Sequence, residues 1–381
     1  MLLLMSFLVL LAWVYLVWGR AQFWQLTHFP PAAEPLAWPS ISIIVPARNE
    51  ADVLPQSLPT LLQQHYPGLW NIILVDDRSD DGTGDVAQKI AAQHASSKLM
   101  VLSHNGPPEG WSGKLAAMHA GLAASQSDYV LFTDADIAHP QNQLRTLMAH
   151  AVAWSSPLVS LMVKLRCESV AEHYLIPAFV YFFHMLYPCR HVWDDRKKIG
   201  AAAGGVMLVH RQTLHEAGGL EKIKHTLIDD CSLGQMLKDH VRAARRTVIL
   251  ANATDTHSLR GYGDWKNIRD MIARTAFEQL QFSYPFLGGC VVGLGLLFVW
   301  PVLALLFGGM AHKFFALLTL GLMVYSYLPM IRYYGRPLFQ ALSLPVVAVA
   351  YVVATLHSAR QYARGLGGSW KGRHYAPEPH A

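Results

Sequence analysis

Charge is scarce in this chain. Only 15% of its 381 residues are Asp, Glu, Lys or Arg, against roughly 25% in ordinary soluble domains. The deficit is unevenly spread, which points to membrane segments rather than to one oversized core. Cysteine is scarce too: Cys167, Cys189, Cys231 and Cys290 stand far apart with no CxxC pairing, so neither a disulfide framework nor a zinc site is suggested. The net charge of +5 is modest, and no basic strip interleaved with aromatics marks a nucleic-acid partner. Internal repeats and low-complexity tracts are missing as well.

Apolar sequence is what abounds, at 52% of the chain. Residues 1–18, MLLLMSFLVLLAWVYLVW, carry no charged side chain and have about the length that crosses a bilayer. A basic start, a shorter apolar stretch and a small-residue cleavage site would mark a removed signal. None is present, so residues 1–19 are expected to form a retained N-terminal anchor. Further apolar stretches at about 286–309, 314–331 and 338–357 place a C-terminal membrane region at 285–358, followed by a basic tail at 359–381. Arg20, Arg332 and Arg336 put the intervening block, residues 38–284, in the cytosol by the positive-inside rule. Three late crossings would carry Arg360, Arg364, Lys371 and Arg373 to the other side, against that rule. A re-entrant last stretch, broken at Pro345, would return them.

Within the block, short β-rich runs alternate with helical patterns. That is the signature of an α/β fold with a mostly parallel, Rossmann-like sheet. Strands are expected at 41–45, 71–77, 98–104 and from Tyr129 onward, with helices at 52–64, 84–94 and 114–124. Another helix is expected to start at Pro140, a good first-turn residue, with Leu144, Leu147, Met148 and Val152 as its apolar stripe. In such sheets ligands bind beyond the carboxyl ends of the strands. The polar motifs fall there: VPARNE at 45–50, DDRSDDGTGD at 76–85 and DAD at 134–136.

Asp134 and Asp136 stand one residue apart and repel each other unless a cation intervenes. A hard divalent ion, Mg2+ or Mn2+, suits two carboxylates, with phosphate oxygens completing its octahedron. The plain alternative is a helix cap before Pro140. Capping and turn chemistry is likewise the plain alternative for Asp76 to Thr83.

VPARNE, VDDRSDDGT, GKLAAMHAG and TDAD, in this order, resemble the family 2 glycosyltransferases over about residues 40–280. The resemblance implies a GT-A fold and a nucleotide-diphosphate sugar donor, a UDP-sugar first. It implies that Asp76 and Asp77, with Pro46, Ala47, Arg48 and Glu50, meet the nucleotide. Asp136 would ligate the metal, with Asp134 beside the metal or the ribose. Lys114 would reach the phosphates; without such a partner, a cation near a helix start is mildly unfavourable.

A third acidic site follows at LIDDCSLG, residues 227–234, ahead of a helix expected at 231–238. Upstream, Gly204 and Gly205 would let backbone approach a sugar closely. The family carries a Glu-Asp pair here that supplies the catalytic base. That role carries over to Asp230, with Asp229 second, because an attacking sugar-acceptor hydroxyl must lose its proton. One in-line displacement would invert the anomeric centre. The family's Q-x-x-R-W motif is reduced to Met271-Ile-Ala-Arg274-Thr275, which lacks the Gln and the Trp. Arg274 would serve the diphosphate or face the surface. The helix bearing it would bury Trp265, Ile268, Ile272, Ala276 and Leu280.

Residues 171–188, apolar but short and containing Pro177, are expected to lie at the membrane interface, with a buried core helix as the alternative. In the tail, SWKGRHY at 369–375 offers Trp370, Lys371 and Arg373 either to a phosphate or to the interface. This region resembles the membrane-bound subgroup near ceramide glucosyltransferases and the hopanoid-biosynthesis-associated enzymes of bacteria. The expected function is therefore sugar transfer to a lipid acceptor at a bacterial inner membrane. A polyprenyl-phosphate sugar transferase or a polysaccharide synthase is the enzyme alternative. An inactive scaffold or nucleotide-sugar-binding protein is the alternative of another class. The partners expected are the nucleotide-diphosphate sugar, the lipid acceptor and the bilayer; protein partners are not legible in the residues.

Overall fold

The computed structural model describes residues 2–370 and 373–375, with residues 369, 370 and 373–375 described by backbone alone. The charge-free start forms α1 (Leu2–Val14) and a π-turn at Tyr15–Gly19. Then come β1 (Ile41–Ala47), α2 (Leu54–Leu62), β2 (Trp70–Asp77), α3 (Thr83–Gln93), β3 (Leu99–His104), α4 (Gly113–Ala124) and β4 (Tyr129–Phe132). The alternation continues through β5 (Ile137–Ala138), α5 (Gln143–Ala153), β6 (Leu158–Lys164), α6 (Val170–Leu186) and α7 (Cys189–Trp193). It closes with β7 (Met207–His210), α8 (Arg211–Glu216), α9 (Asp229–Val241), β8 (Ile249–Ser258) and α10 (Trp265–Gln279).

All eight strands join one sheet in the order β3-β2-β1-β4-β7-β6-β8-β5. Strands β3, β2, β1 and β4 are mutually parallel, and β6 pairs parallel with β8. Only β7 and the two-residue β5 run antiparallel to their neighbours. Since β7 opposes both β4 and β6, the six longer parallel strands all end on one edge. Both faces of the sheet are covered, which is why the strands read as unbroken apolar runs. Ile44, Ile73 and Val75 pack on one face with Leu115 and Met118 of α4, and Ile43, Ile72 and Leu74 on the other with Leu58 of α2 and Ile90 of α3.

Four expectations change. Pro140 does not open a helix; α5 starts at Gln143, because Ile137 and Ala138 first leave the turn to pair with Ser258 and His257. Val152 of its expected stripe is 39% exposed. Helix α9 begins at the Asp229-Asp230 pair, not after it. On α10 the buried face is Ile268, Ile272, Ala273 and Phe277, so Ala273 and Phe277 take the places expected for Ala276 and Leu280. Strands β6 and β8 and helix α8 had no counterpart in the sequence reading.

After α10 come α11 (Tyr284–Leu294), a π-turn, α12 (Trp300–Phe307), α13 (Met310–Tyr333) and α14 (Leu344–Ala363), then a hairpin of β9 (Gly368–Trp370) and β10 (Arg373–Tyr375). Among the described residues, four segments are long and apolar enough to cross a membrane: Leu2–Gly19, Tyr284–Phe307, Met310–Tyr333 and Leu338–Ala363. They expose large apolar side chains outward, among them Leu4, Leu8, Phe286, Leu306, Phe314, Leu317 and Val346. The N-terminal helix joins the C-terminal ones: Trp13 Nε1 donates to Leu297 O at 2.9 Å, and Trp300 Nε1 to Ser6 Oγ at 3.1 Å. Helix α6 packs between this bundle and the sheet domain. Its Tyr181 hydroxyl meets Ser326 Oγ at 2.8 Å, and its Leu175 carbonyl accepts from Tyr351 Oη at 2.8 Å. The end of α14 lies against the sheet domain's own helix, where Ser358 Oγ accepts from Phe277 N of α10. The chain then brings Gly368 beside Leu227 and Arg274.

Candidate active site

The loops after β1 and β2 are zipped together by short polar side chains. Thr83 Oγ1 accepts from Glu50 N at 2.9 Å, Asp81 Oδ2 from Ala51 N at 2.9 Å and Ser79 Oγ from Asn49 N at 3.0 Å. Asn49 sits at φ +52°, a left-handed conformation that Asn tolerates better than most residues. Ser79, Asp81 and Thr83 therefore do the turn work of the plain reading of this stretch, but not its capping, since Gly82 opens α3 with no side-chain cap. Arg48 spans the two loops, donating from Nη1 to the carbonyls of Asp77 and Arg78, both at 2.8 Å. Asp76 accepts from Ser79 N at 3.0 Å, and the buried Asp77 pairs with His104 Nδ1 at 2.9 Å.

Beyond β4, the turn Asp134–Asp136 is held from beneath. Thr133 Oγ1 donates to Gly205 O at 2.7 Å and lies 2.9 Å from His139 Nε2. With the hydroxyl proton committed to Gly205, the imidazole must donate from Nε2. Burial, helped by His257, pushes His139 down to about 3, so this contact is between neutral groups. On the other side Asp136 Oδ2 accepts from Ser258 Oγ at 3.1 Å, and Asp136 O from Leu259 N at 2.8 Å.

Lys114, on the first turn of α4, bridges the D-x-D turn and the acidic start of α9. Its Nζ lies 2.9 Å from Asp134 Oδ1 and 3.1 Å from Asp229 Oδ2. Burial works against its charge, but Asp134, Asp229 and Asp230 outweigh it and hold the ammonium well above the usual lysine range. Asp230 is turned inward. It accepts from Gly204 N at 2.9 Å and Cys231 N at 2.7 Å, and burial reinforced by Asp229 pushes it up to about 6. Asp136 is likewise pushed up to about 6, by burial first and then by Asp134 and Glu50. Each of these acids resists ionisation first because it is buried and then because another carboxylate stands beside it.

These groups surround one cavity of about 580 Å³. Pro46, Glu50, Lys114, Asp134, Asp136, Asp229 and Arg274 line it. Asp230 does not: Asp229 occupies the wall, although Asp230 was the first choice for the base. Ala47, Arg48, Asp76 and Asp77 lie outside the wall, in the loops that carry Pro46 and Glu50. Gly204 approaches from behind, since a Cβ there would stand 3.0 Å from Lys114 Nζ. Gly205 instead packs inward, against Val163 and Ile137. Arg274 faces the cavity, and its buried Nε has no hydrogen-bond partner among the described residues. Lys371 lies outside the described residues, and Trp370 and Arg373 are described only as register partners of the β9–β10 hairpin.

Sequence reading missed several wall residues. Arg260 and Tyr262 come from the loop after β8, whose strand went unread. Arg260 Nη2 crosses to Glu50 and lies 3.3 Å from Asp52. A Gly-flanked arginine at a strand end, SLRGYG at 258–263, was the available signal. Glu278 of α10, outside the wall, had no such signal: it accepts from the N–H of the wall residue Leu227 at 3.1 Å, and burial pushes it up to about 7.

Among the described residues no group of three His, Cys, Asp or Glu side chains converges as a ready-made metal cage. The cavity wall offers carboxylate oxygens from Glu50, Asp134 and Asp136. That set suits a hard cation that completes its shell with ligand oxygens rather than one enclosed by protein.

Comparison with known proteins agrees with this geometry. Residues 42–164 match the model of "Glycosyl transferase family 2". A probable glycosyltransferase of Bacillus subtilis is 33% identical over 99 residues, 26% of this chain and 23% of its own. A 4,4'-diaponeurosporenoate glycosyltransferase of Staphylococcus haemolyticus is 33% identical over 32% of this chain and 30% of its own. An undecaprenyl-phosphate 4-deoxy-4-formamido-L-arabinose transferase of Pseudomonas savastanoi is 32% identical over 29% and 32%. The chain thus spans a third or less of the length of each of these relatives. A solved mannosyltransferase of Pyrobaculum calidifontis, in complex with GDP-Man and Mn2+, shares the fold with a TM-score of 0.53 at 18% identity, covering 93% of this chain and 99% of its own. Residues 42–164 are thus similar to the family 2 glycosyltransferase domain, and the sheet shares its fold with a solved mannosyltransferase.

Proposed function

We propose that the chain is an inverting, metal-dependent glycosyltransferase that moves a sugar from a nucleotide-diphosphate donor, a UDP-sugar first, to a lipid hydroxyl. One observation carries the reading. Lys114 Nζ stands within 3.1 Å of both Asp134 and Asp229, so the D-x-D turn and the start of α9 face one cavity. Asp136 and Asp134 would hold Mg2+ or Mn2+, which when bound neutralises charge on the departing diphosphate. Lys114 and Arg274 bring two further cations to the same wall. A base must take the acceptor's proton as its oxygen attacks the anomeric carbon and the carbon–phosphate-oxygen bond breaks. Asp229 presents its carboxylate there, while Asp230 behind it holds the Gly204 amide.

The acceptor arrives from the bilayer. The far wall of the cavity, Leu227, Tyr262 and Met271, is partly apolar, and α10, which carries Met271, packs on α14. On this reading the domain sits at a bacterial cytoplasmic membrane, with the cavity on the cytosolic side where nucleotide sugars are made. The resemblance to hopanoid-associated enzymes names a hopanoid-type lipid as the first acceptor to try.

A second reading has support in the likeness to undecaprenyl-phosphate sugar transferases. A phosphate acceptor carries no proton that needs a base at neutral pH. Membranes supplied with radiolabelled UDP-sugars or GDP-mannose and Mn2+ decide between them. One sugar per neutral lipid, lost in Asp229→Asn, is expected. Transfer to a lipid phosphate that survives Asp229→Asn favours the second reading. Long polymer, or no transfer from any donor, overturns both.

A further inference from the structure

Glu172 is an acid that the transfer chemistry leaves unused, yet it is 2% exposed and fully bonded. It stands in the first turn of α6, where Ser169 and Glu172 cap the helix reciprocally. Its Oε2 accepts from Glu168 N at 2.9 Å and Ser169 N at 2.8 Å. That alone completes the cap. Its Oε1 reaches across to another segment and accepts from Tyr262 N at 2.5 Å and Gly263 N at 3.0 Å. Burial would raise this carboxyl, but the four backbone donors hold it down at about 2. The fit is close: a Cβ on Gly261 would stand 3.0 Å from Oε1 and 3.3 Å from Arg166 Cδ.

The segment it grips is the loop that carries Arg260 and Tyr262 into the cavity wall. The loop is tied at its start, where Leu259 N donates to Asp136 O at 2.8 Å. Glu172 ties its other end. Between the ties, Arg260 reaches over the crevice to Glu50 and Asp52, beside the carboxylates assigned above to the metal and diphosphate.

We propose that Glu172 is a positioning residue: by accepting the Tyr262 and Gly263 amides it sets the Arg260–Gly263 loop, and so places Arg260 as a further cation for the nucleotide's diphosphate. The placement of the diphosphate rests on the function proposed above; the clamp itself does not. Glu172→Gln keeps the shape of the side chain but loses its charge and replaces one acceptor oxygen with an amide donor. Arg260 acts on the ligand only while the loop stays down, so the two residues work in series.

The test uses the full chain in detergent, with two probes: calorimetric binding of UDP and of GDP in the presence of Mn2+, and tryptic cleavage after Arg260. Glu172→Gln is expected to weaken nucleotide binding about tenfold and to speed cleavage at Arg260 about as much. Ser169→Ala removes the helix cap but leaves the loop bonds, and is expected to match the unaltered chain in both. In an Arg260→Ala background, Glu172→Gln should cost less than about threefold in affinity, because its effect passes through Arg260. If Glu172→Gln does not fold, Gly261→Ala disturbs the same clamp from the loop side and should reproduce both changes. A folded Glu172→Gln with unaltered affinity and cleavage overturns the proposal. So does an undiminished effect in the Arg260→Ala background, which would make the role general stability. Failure of the unaltered chain to bind either nucleotide would instead count against the proposed function, and the cleavage rates would still decide the clamp.

Discussion

Lys114 illustrates what a single side chain has to do here. A cation on the first turn of α4 opposes the helix dipole, and burial opposes it further. It is tolerated because Asp134 and Asp229 lie within 3.1 Å. Lys114→Ala leaves those carboxylates without their counter-charge. Loss of a fully buried partner costs about 3–5 kcal/mol; Asp134 is partly exposed, so a loss of about 1–3 kcal/mol is expected, read as a lower Tm in detergent. Turnover should vanish with it. The acids carry a pH signature as well. Asp136 and Asp230 are both pushed up to about 6 by burial and neighbouring acids, so between about pH 4 and 6 the folded chain binds more protons than the unfolded one. Stability of the ligand-free protein should therefore fall as pH rises through that window and level off above it. Asp230→Asn should flatten part of the slope in a series of melting curves. Glu172, held at about 2, has the opposite sign: its contribution is present at neutral pH and goes only as pH falls toward 2.

Elements decide which of two adjacent residues can act. Asp229 and Asp230 are neighbours on α9, roughly 100° apart around a helix of 3.6 residues per turn. Which of them meets the cavity is a matter of how α9 is rotated. That rotation is set by close backbone contact: a Cβ on Gly234 would stand 2.3 Å from the Ala201 carbonyl carbon. Gly234→Ala must push α9 off this seat, at about 1–3 kcal/mol as other overpacked cores cost. Melting curves and transfer assays should show lowered Tm and lost activity together. The strand ends were legible because apolar runs stop abruptly at polar, Gly-rich turns. The start of α5 was not, because pairing of Ile137 with Ser258 is a contact across 121 positions that no local pattern announces.

Across the whole molecule, the sheet domain and the apolar helices share a core rather than a tether. Phe277 and Tyr362 meet ring to ring with centroids 5.8 Å apart, Phe182 packs on both Phe298 and Tyr351, and Tyr333 Oη reaches Ala253 O at 2.7 Å. Residues 38–284 were read as one domain with an interfacial segment at 171–188; its α6 and α10 bury apolar side chains against the helices that follow as well as against the sheet domain. Made alone, that block should aggregate without detergent, since contiguous apolar patches of several hundred Å² are not stable in water. A monodisperse soluble peak on size exclusion would contradict the shared core. The end of α14 also bears on the tail. Gly368 lies beside Leu227 and Arg274, on the side of the cavity.

Local chemistry was enough to announce the alternating strands, the acids at their ends and the apolar helices, because period, turn residues and charge are properties of short windows. The rest depended on distance. Glu50 and Arg260 meet over 210 positions and Glu172 and Tyr262 over 90, and hydrogen bonds of that reach leave no trace in any window of sequence. The choice of Asp229 for the wall, the grip of Glu172 on the Arg260 loop and the common core of domain and bundle all arise from packing, where one element's rotation or seat is set by another far along the chain.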